Sequence, residues 1–348
     1  MRVIDVEWLT EPEPHGWSIL LTLWSSPFRV RSGPAVVTTA LAHRRVTLWQ
    51  GDRMTASFAD VFEAHRPRLF GLAYRMLGSA EEAEDAVQDA YLRYSRTDRA
   101  DIERPAAWLA KVVTNLCLTR LTSARARREQ YVGPWLPEPV ATSDGTLGPL
   151  ESAERRDDVS MALMVLLERL TPTERAVYVL REAFGYGHRE IAGVLDLSEA
   201  NCRQLYRRAA HRVAVPEARF QPSPERREEL VASFVAAARD GDLAGLEKLL
   251  ATDVTWWSDG GGKVSAALRP IQGREKVLRF LAGVARRSLV GVEFTVAEVN
   301  GDGALAVWAG DLLIGTASFE FRDGLVTQVQ SVLNPDKLNF VRRQLARS

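Results

Sequence analysis

Glu81, Asp85 and Asp89 place a carboxylate at every fourth position. On a helix that spacing lines one face with acid. Ala83, Ala86, Val87, Ala90 and Tyr91 fall on the opposite face and supply the apolar stripe a core requires. A second helical pattern opens at Arg104-Pro105 and runs to Leu121. It is apolar on one side, with Lys111, Asn115 and Arg120 on the rest and Trp108 near its start. An acidic surface beside a basic and aromatic one addresses two partners of opposite chemistry, a basic protein surface and nucleic acid.

A further basic face lies downstream. Cys202, Leu205, Ala209 and Val213 recur at helical spacing and form a buried stripe, so Arg203, Gln204, Arg207, Arg208 and His211 face outward. Ser198 stands at the N-cap and puts the positive end of the helix at the surface, where phosphate binds. The short helix predicted over His188–Leu195, the turn Asp196-Leu197-Ser198 and the helix Glu199–Val213 make a helix-turn-helix pattern. Such a second helix enters the major groove, where Arg reads guanine and Gln or Asn reads adenine. Taken alone, the same basic face also fits a solvated helix.

A third constellation is Trp256-Trp257-Ser258-Asp259-Gly260-Gly261-Gly262-Lys263. It is not GxxxxGK[ST], and no Ser or Thr directly follows Lys263, so it is no phosphate loop. Two readings stay open: a loop whose backbone makes a close approach that side chains would block, or a plain hairpin turn. Asp259 is the one candidate here for acid–base work, because His211 is the last histidine in the chain.

These groups need elements to hold them. The chain of 348 residues is long enough for two or three domains at about 100–200 residues each. Hydrophobic residues at 46% and charged residues at 26% describe soluble globular material. The formal net charge is +0, which argues against a chain that binds nucleic acid over its whole surface. Local sign still governs contacts within a Debye length of roughly 8–10 Å. The two cysteines, Cys117 and Cys202, both fall in helical patterns and read as small core residues of a reducing cytoplasm. No paired CxxC elements or clustered histidines suggest zinc, and no cofactor is implied. In the first fifty residues the longest apolar run, Trp17 to Trp24, is far short of the ~20 residues a spanning helix needs. It also lacks the flanks of a signal peptide.

Residues 1–53 are rich in Pro, Trp and Ser without a clear period. They are expected to be a disordered extension, or to precede a true start near Met54. Helices are predicted at about 56–77, 80–96 and 105–124 in a first bundle over 55–128, with Ser79 capping the second and Pro105 opening the third. A linker over 129–153 holds Pro134, Pro137 and Pro139, which forbid regular structure. Its Tyr131, Trp135 and Leu136 are costly to leave in water, so they are expected to dock. Residues 154–214 form a second all-helical domain, whose Thr171-Pro172-Thr173-Glu174 is a strong helix start. Residues 225–342 read as α+β. Helices at 225–239, 243–250 and 273–287 precede a meander of antiparallel strands at Val292–Val299, Ala304–Trp308, Leu312–Phe321 and Leu325–Val332.

Residues 55–213 resemble regions two and four of bacterial RNA polymerase sigma factors of the extracytoplasmic-function type, in the right order and with the linker in place of region three. The resemblance implies a protein that directs promoter-specific transcription initiation in the cytoplasm and has no catalysis of its own. It implies docking of Glu81, Asp85 and Asp89 on the β′ clamp of core RNA polymerase, with region four reaching the β flap. It implies capture of the melted −10 strand by Trp108, Lys111, Asn115 and Arg120, although Trp108 fits a core position equally well. The −35 contacts fall on Ser198, Glu199, Asn201, Arg203, Gln204, Arg207 and Arg208. Trp135-Leu136-Pro137-Glu138-Pro139, the glycine run with Trp257, Asp259, Gly260, Gly261, Gly262 and Lys263, and Asn334-Pro335-Asp336-Lys337-Leu338 resemble signature motifs of one subgroup. That subgroup carries a C-terminal SnoaL-like (NTF2-like) domain, a cone with a curved antiparallel sheet, as a regulator in cis. Trp257 is then expected over the mouth of the cone, whose cavity could take an unidentified small ligand.

Two other readings remain at this point. One is a helix-turn-helix regulator with a ligand-sensing domain, which has no need of the acidic helix. The other is a fused SnoaL-like enzyme working through Asp259. Fold alone licenses neither.

Overall fold

The computed structural model describes residues 58–98, 102–143, 159–214, 222–286 and 291–346. The expectations for residues 1–53, for linker residues 144–153 and for 154–158 lie outside the described residues. Among those described there are eleven helices and six strands. No helix of the described residues is long and apolar enough to cross a membrane.

The first bundle holds α1 (Phe58–Leu77), α2 (Ala80–Arg96) and α3 (Pro105–Glu129). Gly78, at φ +68°, turns the chain between α1 and α2 in a conformation that only glycine adopts freely. Ser79 then caps α2 by accepting from the Glu82 N–H. Ala83, Ala86, Val87 and Ala90 are buried against Leu72, Ala73 and Met76 of α1 and Leu109 and Val113 of α3. The predicted apolar face of the acidic helix is therefore its packing face.

The second helical set is α4 (Met161–Leu167), α5 (Pro172–Glu182), α6 (His188–Leu195) and α7 (Glu199–Val213). Thr171 and Glu174 form a reciprocal capping box with Pro172 in the first turn of α5. Cys202, Leu205, Ala209 and Val213 are the buried residues of α7. The first and second helical sets share one continuous core. Phe184 and Tyr186, after α5, pack against it, and the Arg68 guanidinium of α1 lies 5.4 Å from the Phe184 ring centre.

The third body has α8 (Pro224–Asp240), α9 (Leu243–Leu249), β1 (Leu250–Asp259), β2 (Ile271–Gln272), α10 (Arg274–Arg286), β3 (Val292–Val299), β4 (Asp302–Ala309), β5 (Leu312–Arg322), β6 (Leu325–Val332) and α11 (Pro335–Leu345). The curved, unclosed sheet runs β2-β1-β6-β5-β4-β3. It is not wholly antiparallel as expected, because β1 and β6 pair in parallel. The cause is an extra strand. The expected helix 243–250 reaches only Leu250 of β1 and the expected loop or turn begins at Trp256, so no strand is predicted here, yet the Val, Thr and Trp residues of β1 suit an extended, half-buried chain.

Strand alternation sends Trp256 and Trp257 to opposite faces. Trp256 joins Phe234, Phe319 and the helices α8 to α10 on the inner face. Its indole N–H donates to Ser258 and Ser331 at 3.1 Å each. Trp257 packs on the outer face with Leu136 and Leu338, so it does not cover the cone mouth as expected. The outer face carries the linker, Met161 of α4, and Leu338 and Val341 of α11. α11 also reaches α1, where Phe340 stacks on Phe70 at 5.5 Å.

Candidate functional site

Asp259 ends β1 and has no exposed surface, so it belongs to the strand and not to the glycine loop or turn that follows. A buried carboxylate must be paired and hydrogen-bonded. Asp259 Oδ1 accepts from the Tyr131 hydroxyl at 2.5 Å. Its Oδ2 accepts from the Leu136 N–H at 2.8 Å and from Lys337 Nζ at 2.7 Å. Lys337 Nζ also donates to the Leu136 carbonyl at 2.5 Å. Both oxygens are thus engaged, which overturns Asp259 as a free acid–base group.

Two motifs distant in sequence build this clasp. Asn334 caps α11 with Pro335 in its first turn, and Lys337 follows on the buried side with Leu338. The Asn334 N–H donates to the Asp259 carbonyl at 2.9 Å, and its side-chain amide donates to the Tyr131 hydroxyl at 2.8 Å. Lys263 pairs with Asp336 at the rim. The glycine run allows the close approach read from the sequence. A methyl group on Gly261, at φ +58°, would lie 2.8 Å from the Tyr131 hydroxyl, and one on Gly260 would lie 2.7 Å from the Val264 carbonyl. A methyl group on Gly262 would meet Val132 at 3.2 Å.

Burial dominates the electrostatics of Lys337. It lowers the ammonium to about 8 even though Asp259 pulls the other way. Burial, and then the bond to Asp259, pushes the Tyr131 hydroxyl upward and keeps it neutral. Trp135 lies between two cations, with Lys337 Nζ 4.0 Å and Arg128 Cζ 3.9 Å from its ring centre. Arg128 also pairs with Glu168, which pairs with buried Arg175 at 2.5 Å. Arg175 Nε donates to the Arg75 carbonyl at 2.8 Å. One connected network therefore ties the linker to both helical sets.

The linker goes on past buried Pro137. Val140, Ala141 and Thr142 lie along the free edge of β3. Thr142 N–H donates to the Glu298 carbonyl at 3.2 Å, and Asn300 N–H donates to the Val140 carbonyl at 2.8 Å. Asn300, Glu138 and Gln344 were not singled out from sequence. The Asn300 side-chain amide donates to the Tyr74 hydroxyl at 2.6 Å and the Val159 carbonyl at 2.9 Å, while its oxygen accepts from Val140 N–H at 3.2 Å. Gln344 brackets Ala141 through both main-chain groups. Asn300 carries no local signal in the sequence for this inter-domain role.

The expected partner surfaces are partly engaged within the chain. Arg120 pairs with Asp89 at 2.7 Å and with Asp85 at 3.7 Å, so groups expected on two different surfaces meet. Glu81 lies 3.8 Å from Arg343 of α11. Lys111 Nζ donates to Asp196 at 2.9 Å and to the Gly193 carbonyl at 3.0 Å in the helix-turn-helix. Trp108 is half-buried beside Tyr94, and Asn115 is exposed. On α7, Ser198 is used as the cap, Glu199 pairs with Arg203, and Arg208 reaches Glu174. Asn201, Gln204 and Arg207 are exposed on the same helix.

Residues 61–127 match the family model for Sigma-70 region 2, residues 160–212 that for Sigma-70 region 4, and residues 231–329 that for the SnoaL-like domain. The chain is 40% identical over 289 residues to the ECF RNA polymerase sigma factor SigJ of Mycobacterium tuberculosis, covering 79% of this chain and 91% of that protein. It is 30% identical over 286 residues to a probable ECF RNA polymerase sigma factor, SigI, of the same organism, covering 82% of this chain and 96% of that one. The crystal structure of M. tuberculosis SigJ superposes with a TM-score of 0.65 at 36% identity, covering 81% of this chain and 98% of that chain. With three family regions in this order and relatives matched over nearly their full length, the chain belongs to the extracytoplasmic-function RNA polymerase sigma factors and carries a SnoaL-like domain after region 4.

Proposed function

We propose that the SnoaL-like domain regulates this sigma factor in cis by gripping the linker and holding regions 2 and 4 together. The carrying observation is the Asp259–Lys337 pair closed around Leu136. Sigma factors bind core RNA polymerase and promoter DNA. In this reading Glu81, Asp85 and Asp89 meet the β′ clamp, and region 4 meets the β flap. Trp108, Lys111, Asn115 and Arg120 take the −10 strand, and the exposed face of α7 takes the −35 duplex. The pairs of Lys111 with Asp196 and of Glu81 with Arg343, which cross between domains, support a closed state that competes with those partners.

Magnitudes separate the parts. Exposed pairs such as Lys111–Asp196 contribute about 0–1 kcal/mol each, so polymerase or DNA displaces them readily. Removing one partner of a buried pair costs about 3–5 kcal/mol, so the clasp decides whether the chain opens. Phe234, Trp256 and Phe319 pack together on the inner face, where a small ligand of the cone would meet them. The engaged carboxylate of Asp259 likewise favours a docking role over an enzymatic one.

Run-off transcription with core polymerase tests the reading. Lys337→Met, and separately deletion from residue 334 onward, should raise transcription several-fold with promoter preference unchanged. Equal output from all three proteins would sink it.

A further inference from the structure

The first turn of α2 draws two of its capping hydrogen bonds from the linker. A helix start leaves four N–H groups without intrahelical partners. The Glu82 N–H bonds to the Ser79 hydroxyl at 3.1 Å, and the Ala83 N–H makes the first intrahelical bond, to the Ser79 carbonyl, at 3.1 Å. Two more of the open N–H groups bond to Glu138 Oε2, Ala80 at 2.8 Å and Glu81 at 3.2 Å. The Ser79 hydroxyl donates to Glu138 Oε1 at 2.7 Å, which fixes the lone pair that caps Glu82. A carboxylate at this end also suits the helix dipole.

The main chain of Glu138 is held by the same bundle. Its N–H donates to the Gly78 carbonyl at 2.9 Å, and its carbonyl accepts from the Tyr74 hydroxyl at 2.8 Å. Pro137 and Pro139 on either side have fixed φ and no N–H to offer. The residues beyond behave differently. Leu136 bonds to Asp259 and Lys337, and Val140 and Ala141 bond to Asn300 and Gln344, all in the SnoaL-like domain. Within these few residues the partners switch from the SnoaL-like domain to region 2 and back.

We propose that Glu138 is a positioning residue for polymerase binding. It belongs to region 2 and stays there as the cap of the acidic helix when the linker is released. Opening then frees two arms, one through Leu136 and one from Val140, and leaves the segment around Glu138 in place. The linker is thus a permanent part of the polymerase-docking element as well as the handle of the regulator. Moving the whole linker off region 2 would leave the Ala80 and Glu81 N–H groups and buried Ser79 without their partners. This proposal rests on the closed-state reading for the meaning of release.

Hydrogen exchange at the Ala80, Glu81 and Leu136 amides decides it, using the full chain free and bound to core polymerase. In the wild type, Ala80 and Glu81 should stay protected in both states, while Leu136 loses protection on binding. Glu138→Ala should speed exchange at Ala80 and Glu81 by roughly tenfold in both states, as loss of a helix cap does. The isosteric Glu138→Gln, which keeps one acceptor oxygen, should fall between and guards against a misfolded alanine variant. Affinity for core polymerase should drop in the same order. The proposal is overturned if the wild-type holoenzyme exchanges Ala80 and Glu81 as fast as the Glu138→Ala holoenzyme does. Unchanged transcription in Lys337→Met would count against the closed-state reading alone, because the Ala80 and Glu81 amides report on Glu138 separately.

Discussion

Asp259 and Lys337 meet at 2.7 Å and hold one linker residue from both sides. The carboxylate accepts from the Leu136 N–H, and the ammonium donates to the Leu136 carbonyl. The pair is buried, so its desolvation cost offsets most of its mutual attraction. Its value lies in what it recognises: the N–H and the carbonyl of one residue, held between Trp135 and Pro137 at one register. A single change leaves the other charge buried and unpaired. Asp259→Asn and Lys337→Met should each destabilise the closed chain by about 3–5 kcal/mol, and the double change by less than their sum. Denaturant unfolding of the four proteins measures the cycle.

Closure should depend on pH through Lys337. In the open chain this lysine has its ordinary value of 10.5, while in the closed chain burial brings it to about 8. Below about 8 the ammonium is present in both forms, and the burial cost is felt in full. Between about 8 and 10.5 the closed form releases a proton that the open form keeps, so closing is favoured as pH rises through that window. The neighbouring Tyr131 stays neutral there, because burial pushes it upward. Trp135 fluorescence or a distance probe between regions 2 and 4 should report more closed protein at pH 9.5 than at pH 7.5. Lys337→Met should flatten that dependence.

Much of the local structure was legible. The Ser198 cap and the stripe from Cys202 to Val213 marked α7 to its end residues, and the β3 to β6 meander followed from turn residues between alternating runs. β1 was missed because it follows α9 without an intervening turn, and its adjacent tryptophans serve opposite faces. The signature motifs pointed to the linker and the SnoaL-like domain, but not to each other's atoms. Leu136 finds Asp259 across 123 residues and Lys337 across 201. Hydrophobic periodicity carries no information about such pairings. The same holds for Glu138, whose partners at Ser79 to Glu81 lie nearly 60 residues earlier.

Asn300 offers a separate test of inter-domain closure. It holds φ +54° at the β3–β4 turn, and its side chain bridges Tyr74, Val140 and Val159. Asn300→Gly keeps the backbone conformation and removes the bridge. It should lower stability by about 1–3 kcal/mol through buried polar groups left without a partner. Asn300→Ala should lose more, because alanine also resists positive φ. A thermal melt showing no difference between these variants would remove the backbone part of the argument.

The acidic face of α2 separates a sigma factor from an ordinary duplex-DNA regulator. Asp85 is exposed and Asp89 half-buried, and each pairs with Arg120. Such contacts contribute about 0–1 kcal/mol each, so Asp85→Lys with Asp89→Lys should leave the fold intact. The cost should appear at the partner, because two reversed charges now face a basic surface and repel it. Core polymerase binding should be lost while binding of duplex DNA by the exposed face of α7 is kept. Core polymerase bound by the double variant as tightly as by the wild type would remove these carboxylates from the docking surface. Arg120 sharpens the test. Arg120→Ala frees both acids for the polymerase but removes a cation assigned to the −10 strand, so it should spare core binding and weaken promoter opening.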